Sequence, residues 1–384
     1  MKHSVSMTRV PTETAYEEWM KSEGVPVYED WGIEDVKEVE RKPWARMGGK
    51  GAFIHLKGMK EYGICGMYVM EIPPGQSLNP EKHLYEELIY ILKGQGATEI
   101  WQEGQPKRSF EWGAGSFFAP PLNAWHRLYN GSREPVIFLA MTTAPIVIDI
   151  FHNVDFVFGD GYAFTDRYAG EETYFKVGTP VQQNLRGNHK HQVWYTNFIP
   201  DLTVDLNRYG LKQSQSPSKA EGGMSFGFEM SENVLTGHVG DWPTGIYHRA
   251  HYHGPGAVLL GLRSKGYVLL WHKELGTHPY QTGHGDKVIK LHWREGSVYS
   301  PGDGWFHQHF NTGSEPARHI ALRTGGAKYR VGVHRYVGVV ENIKEGGTMV
   351  DYKDEDPQIR RDFEAALRET GVASQMPPVG KTAA

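Results

Sequence analysis

The residues best suited to chemistry in this 384-residue chain are histidines. His251 and His253 are separated by one residue, and His307 follows roughly fifty residues on. Side chains alternate along an extended strand, so His251 and His253 project to one face. A third imidazole arriving from a neighbouring strand, after the turn at Gly304, closes a facial trio. Three imidazoles on one side of an octahedral ion leave about three positions open for substrate or dioxygen. Neutral ligands also leave a divalent ion its full charge, which favours an anionic, electron-rich substrate. The competing reading is an aromatic-rich core in which the same histidines are merely packed. Clustering favours ligation, because 12 of the 19 histidines lie between positions 238 and 334.

Further candidates surround the trio. His309 shares the strand parity of His307, so it could face the cavity as a proton shuttle, with a rim position as the alternative. Arg249 has the parity of His251 and could hold a substrate carboxylate by a two-pronged hydrogen bond, or form a surface salt bridge. Arg323 is a similar candidate. Tyr299, Trp305, Phe306 and Phe310 flank the third histidine, as an aromatic lining or as barrel core. The string Gly223-Met-Ser225-Phe-Gly227 has the letters of a nucleophile elbow but no helix pattern after it, so it is set aside. Asn130-Gly-Ser132 matches a glycosylation sequon in a chain that shows no secretion signal.

Holding three rings on one face takes a rigid β framework. From about 50 to 142, and again from 224, short apolar runs such as YGICGMYVMEI, EELIYILKG, AVLLGLRSKG and ARHIALRTG recur between Gly, Pro and Asn. That rhythm, with 46 Gly and 22 Pro, predicts an all-β chain of sandwich or barrel type. The expected organisation is an N-terminal arm over 1–45, a first barrel over 46–150, an inter-domain segment over 151–220, a second barrel over 221–345, and a C-terminal helix and tail over 346–384. Thr12-Glu13-Thr14 before AYEEWMK reads as a capped short helix. Asp356-Pro357 opens another, with Ile359, Phe363 and Leu367 on one stripe and Gly371 as its stop. The stretch QSQSPSKAEGG (213–223) is the most loop-like in the chain.

Composition narrows the partners. Lys+Arg 41 against Asp+Glu 45 gives a net charge of −4 with no basic block, so nucleic acid is not an expected partner. No run approaches the ~18 apolar residues of a membrane span. One cysteine, Cys65, precludes an intrachain disulfide, fits a reducing compartment and reads as a buried small hydrophobe. The expectation is a cytoplasmic protein with a small anionic substrate, forming a homo-oligomer through edge strands and terminal arms.

The strongest pattern is an internal repeat. EWGAGSFFAPPLNAWHRLYNGSREP (111–135) lies over HWREGSVYSPGDGWFHQHFNTGSEP (292–316) without a gap, at an offset of 181. Upstream, EELIYILKGQGATEIW (86–101) overlays GAVLLGLRSKGYVLLW (256–271) at an offset of 170. The second copy is therefore longer by 11 residues between the blocks, and TGHG (282–285) marks a loop insertion.

Each half resembles a cupin, a small β-barrel with two sequence motifs. The first half places Gly75, Glu81, His83, Glu87 and Gly94 at the spacing of motif one, and Gly115, Pro121, Asn123, His126 and Asn130 at that of motif two. It departs from the family at Glu81, where a His is usual, and at Asn123, where a Gly is usual. The second half supplies Gly245, His251, His253, Gly304, His307 and Asn311, but its Glu position falls on Ala257, preceded by Gly254, Pro255 and Gly256. The resemblance implies a bicupin, two tandem double-stranded β-helix barrels with short helical arms. It also implies a second ligand set in the first half, His83, Glu87 and His126 with Glu81 as a fourth oxygen. Glu81 could instead pair with an arginine in a purely structural barrel.

Three-His centres resemble those of cupin dioxygenases that cleave gentisate-like aromatics, β-diketones or thiols, whereas oxalate decarboxylases and oxidases carry the Glu that Ala257 replaces. The expected activity is thus a non-haem dioxygenase using Fe2+, with Mn2+, Ni2+ or Zn2+ as alternatives. A redox-neutral lyase, isomerase or decarboxylase is the alternative within catalysis, and a non-catalytic binding or storage bicupin the alternative outside it.

Overall fold

The structure is a computed structural model that describes residues 12–61, 63–178, 180–184, 190–211, 214–215, 222–254, 257–325, 328–329 and 341–378. Pro255, Gly256 and most of the 213–223 loop lie outside the described residues. Among those described, the chain forms two β-barrels, each a large sheet closed by a three-stranded one. In the first, strands Gly49–Ile54, Gly66–Ile72, Val136–Thr142, Glu87–Lys93 and Phe117–Phe118 lie side by side, opposite Trp125–Tyr129, Gln95–Trp101 and Arg108–Gly113. The second repeats the order with Met224–Glu229, Leu235–Trp242, Ala317–Thr324, Val258–Arg263 and Val298–Tyr299, opposite Trp305–Asn311, Lys265–His272 and Ile289–Arg294.

The repeat holds at the level of backbone register. Ile89 pairs with Ala140 in the first barrel and Leu259 with Ala321 in the second. Leu128 faces Thr98, and His309 faces Val268. The sequence offsets of 170 and 181 therefore name structurally equivalent positions from Gly66–Ile72 onward in the first barrel. The insertion before Ile289 falls between two strands of the small sheet, where its Tyr280 and Gln281 amides donate to Asp356 at 2.9 Å each.

Each barrel borrows an edge from the other half. Gly32–Ile33 pairs with Val298–Tyr299 of the second barrel, and Phe198–Ile199 with Phe117–Phe118 of the first. The Val36 amide then donates to the Gly296 carbonyl and the Leu202 amide to the Gly115 carbonyl, both at turns of positive φ. A Cβ at Gly115 would lie 2.3 Å from Asp201 Oδ1, and one at Gly296 would lie 2.6 Å from Asp35 Oδ1, so both turns require glycine. This exchange covers two edges that would otherwise be open to pairing.

Burial explains the unbroken apolar runs. All seven residues of Val136–Thr142 are buried, because Phe138 and Ala140 face the first barrel's interior while Ile137, Leu139 and Met141 join a core between the two large sheets. Ile320 and Leu322 do the same from the second barrel. Strands buried on both faces read as continuous hydrophobic runs rather than alternating ones. The N-terminal helix Ala15–Ser22 carries a Thr14/Glu17 capping box, and Pro357–Thr370 starts at Asp356 and stops at Gly371, as its sequence predicts. Helices Ala144–Phe151 and Val154–Gly159, which the apolar patterning did not reveal, pack beside the first barrel.

Candidate metal centres

In the second barrel, His251, His253 and His307 bring one nitrogen each to within 4.8 Å of one another. The ring centroids of His251 and His307 are 4.3 Å apart, and those of His253 and His307 are 4.8 Å apart. Backbone pairing fixes the approach, since His251 and His307 exchange amide–carbonyl bonds across the barrel mouth. Nδ1 of His251 lies 2.9 Å from the Arg249 carbonyl, and Nδ1 of His307 lies 3.2 Å from the Trp305 carbonyl. A donated Nδ1–H there leaves Nε2 as the lone-pair nitrogen turned to the centre, the usual orientation for a ligating imidazole. Burial, then the charges of His251, His253 and His309, pushes the His307 pKa well below the ordinary imidazole range. Three rings packed this closely fit a divalent cation better than they fit three protons.

The first barrel assembles a different set. His83 and His126 are buried with Glu87, whose Oε2 is 3.6 Å from His83 Nε2 and 3.4 Å from His126 Nε2. His83 Nε2, His126 Nε2 and Glu87 Oε2 all lack a hydrogen-bond partner. Buried polar atoms are seldom left so, and their convergence fits a cation here as well. Burial raises the Glu87 carboxyl, but the adjacent imidazoles of His126 and His83 outweigh it and hold the group well below the usual carboxylate range. For His126 the burial penalty is likewise outweighed, by Glu87 and then Glu81, and its pKa rises. Glu81 Oε1 lies 3.7 Å from His126 Nε2, while its other oxygen is 2.7 Å from Arg46 Nη1. Glu81 thus stands beside the histidines, its ligand atom within 4.8 Å of those of His83 and His126, and is also paired with Arg46.

The remaining candidates divide. His309 is buried beside the trio, with its ring 5.6 Å from that of His307 and its Nδ1 2.9 Å from the Tyr299 hydroxyl. Arg249 is committed to the C-terminal segment, its Nε 3.5 Å from Asp351 and its guanidinium 4.8 Å from the Tyr352 ring, so its backbone carbonyl rather than its side chain serves the trio. Trp305 packs at a tilt against Trp31 of the exchanged N-terminal segment, with centroids 4.3 Å apart. Phe306 and Phe310 point the other way, against Trp271 and Tyr247 respectively, and are core. Ser225 lies within a strand, paired with Gly240, and is no elbow. Asn130 is 2% exposed and donates to three carbonyls, which removes it as a glycan acceptor. Cys65 is half-buried against the inter-barrel core.

Residues 68–142 match the cupin-domain family. That match spans most of the first barrel, and the second barrel repeats the strand order and register of the first. No curated protein matches it in sequence. Similar solved structures include the formate complex of Lactobacillus farciminis oxalate decarboxylase, at 11% identity over 87% of this chain and 96% of that one, with a TM-score of 0.48. A deletion mutant of Bacillus subtilis oxalate decarboxylase is 11% identical over 99% of this chain and 97% of its own, with a TM-score of 0.47. No helix among the described residues is long and apolar enough to cross a membrane.

Several residues near the two centres occupy no defining position of either cupin motif. Tyr68 donates its hydroxyl to Glu87 Oε1. In the second barrel, His248 and His319 stand 5.2 and 5.3 Å from His309, centroid to centroid, and His238 is 6.1 Å from His319. The repeat offsets held the signal, since they align Tyr68 with His238 and Phe138 with His319, but only the ladder register shows that these positions face inward.

Proposed function

We propose that this chain is a metal-dependent bicupin enzyme whose working centre is His251, His253 and His307, acting on a small anionic substrate by redox-neutral chemistry of the lyase, decarboxylase or isomerase type. The observation that carries this reading is the protic interior behind the trio, formed by His309, Tyr299, His319 and His248. Reactions that make or break bonds beside a carboxylate need a proton taken up or delivered at a fixed place, and positioned imidazoles and phenols do this. A divalent ion such as Mn2+ or Fe2+, when bound, supplies Lewis-acid polarisation of a substrate oxygen.

The chain's own groups do the rest. The Arg249 and Trp305 carbonyls hold the ligating rings in one tautomer. The Tyr299 hydroxyl and His309 Nδ1 share one proton position, 2.9 Å apart, and burial keeps that phenol protonated across the physiological range. His309 Nε2 is then the atom from which a proton moves towards the centre or into which it is withdrawn.

A second reading, dioxygenase chemistry on an aromatic or enolisable acid with Fe2+, is favoured by a specific feature. Ala257 leaves the second centre without a carboxylate ligand, so a divalent ion there keeps the charge that chelates an electron-rich dianion. Turnover of a panel of small carboxylic acids, hydroxylated aromatic acids and β-dicarbonyls with and without oxygen separates the two. Product formed equally without oxygen supports the redox-neutral reading, and strict, stoichiometric oxygen consumption replaces it with the dioxygenase. A chain that purifies without metal and takes up none ends both.

A further inference from the structure

The second barrel also holds a clue to what its centre recognises. In the first barrel Glu87 lies directly opposite Thr142. The matching ladder of the second barrel pairs Val258 with Leu322, so the next step places Ala257 opposite Arg323. The repeat offsets give the same correspondence, Glu87 to Ala257 and Thr142 to Arg323. At one place on the barrel wall a carboxylate and a hydroxyl have been exchanged for a methyl and a guanidinium. Opposed residues of an antiparallel pair project to the same face. Here that face is the interior, because Arg323 shares strand parity with His319, whose ring is 5.3 Å from that of His309, while Ile320 and Leu322 face the inter-barrel core.

The exchange puts a cation where the first barrel has none, and Glu229 on a nearby strand supplies an opposing charge to it. In the first barrel an acidic group faces the histidines; in the second, that spot is vacated and a fixed cation stands across from it. Arg323 is partly buried, and the short side chains of Ala257 and Ala321 flank it. Loss of water pushes its pKa down to about 10, against the opposing charge of Glu229 on a nearby strand. A poorly hydrated guanidinium beside an empty acidic position favours an anion, and its planar fork matches a carboxylate. Resting on the proposed working centre in this barrel, we propose that Arg323 binds the substrate carboxylate in the place that Glu87 fills in the first barrel, and that the second centre therefore takes small carboxylic acids as their anions.

The test uses the full chain, metal-loaded and after chelation, with glycolate and its uncharged isostere glycolamide as probes in calorimetric titrations. Wild type is expected to prefer glycolate by about ten- to a hundredfold, the span of a charge-assisted pair. Arg323→Met should bring that ratio to about one without changing metal content, and Arg323→Lys should keep part of it. Ala257→Glu provides a second route that retains the arginine, because the new carboxylate occupies the guanidinium and abolishes the preference. No preference in wild type, or one that survives both Arg323→Met and Ala257→Glu, overturns the assignment. Loss of metal binding with the preference intact sinks the proposed enzyme but not the role of Arg323, whereas an intact metal centre without the preference sinks that role alone.

Discussion

The two barrels share strand order, ladder register and glycine turns, yet their interiors have opposite character. Behind His83, Glu87 and His126 the first barrel places Leu128, Phe138, Met70 and Phe118, all buried in one apolar core. At the equivalent positions the second places His309, His319, Gly240 and Tyr299. One set of backbone instructions thus supports a plugged barrel and a polar one. Apolar side chains at native packing density stabilise a fold and leave no room for a substrate. Buried imidazoles contribute less to stability and provide proton-handling groups. The ligands follow the same division. Two carboxylates facing the first set would cancel the charge of a divalent ion, while the second set leaves it intact.

The largest effect expected from this comparison is on turnover. His307→Ala should lower it by about a thousandfold or more and remove about one metal equivalent per chain, while His126→Ala should leave it within a few-fold. Turnover and metal analysis of the two variants side by side decide the matter. Activity that survives loss of His307 but not of His126 inverts the roles of the barrels.

Stability comes next. Phe138→Ala should cost about 3–5 kcal/mol in denaturant unfolding, as expected for emptying a packed aromatic site, and should leave metal in the second barrel unchanged. His319→Ala, at the equivalent position, should cost distinctly less. Equal costs would mean that the second interior is as tightly packed as the first, and the division into scaffold and cavity would fail.

A smaller effect is expected from copying one interior residue. His309→Leu installs the first barrel's Leu128 in the second and should lower turnover by about a hundredfold with metal retained, if the imidazole moves a proton. Unchanged turnover with a flattened pH profile would narrow the proton path to Tyr299 and His319, and unchanged turnover with an unchanged profile would remove the protic interior from the mechanism.

Much of this was legible before any coordinates. The gapless match of 111–135 to 292–316 points to a duplicated β unit, and strand alternation puts His251 and His253 on one face and gives His309 the parity of His307, with a rim position left open. Three things were not legible. Arg249 has the right parity, but Asp351 and Tyr352 on a distant segment claim its side chain, and only tertiary packing reveals such a partner. The exchange of Gly32–Ile33 and Phe198–Ile199 between barrels was hidden because two-residue strands carry no periodicity. The opposition of Ala257 and Arg323 depends on ladder register, since a shift of one residue would turn either side chain to the other face.

The smallest effect expected concerns the C-terminal helix, which braces the second barrel. Glu355 accepts from the Tyr247 hydroxyl and, at 3.0 Å, from Gln308 Nε2 on the strand that carries His307. Burial, outweighing these hydrogen bonds, pushes its pKa up to about 7. A carboxyl raised on folding keeps its proton in the native state while the unfolded chain has lost it. Its contribution to stability is therefore fully present below about pH 4.5 and is lost as pH rises through about 7. Between those limits wild type should lose up to about 1.4 kcal/mol per pH unit from this group. Glu355→Gln should flatten that slope, because the amide can still accept from Tyr247, while Gln308, whose Oε1 is buried without a partner, can turn to accept from it. Thermal unfolding of both proteins from pH 4.5 to 8 reads the difference. Parallel curves would show that Glu355 stays ionised on folding, and that water or a cation reaches the outer face of the His307 strand.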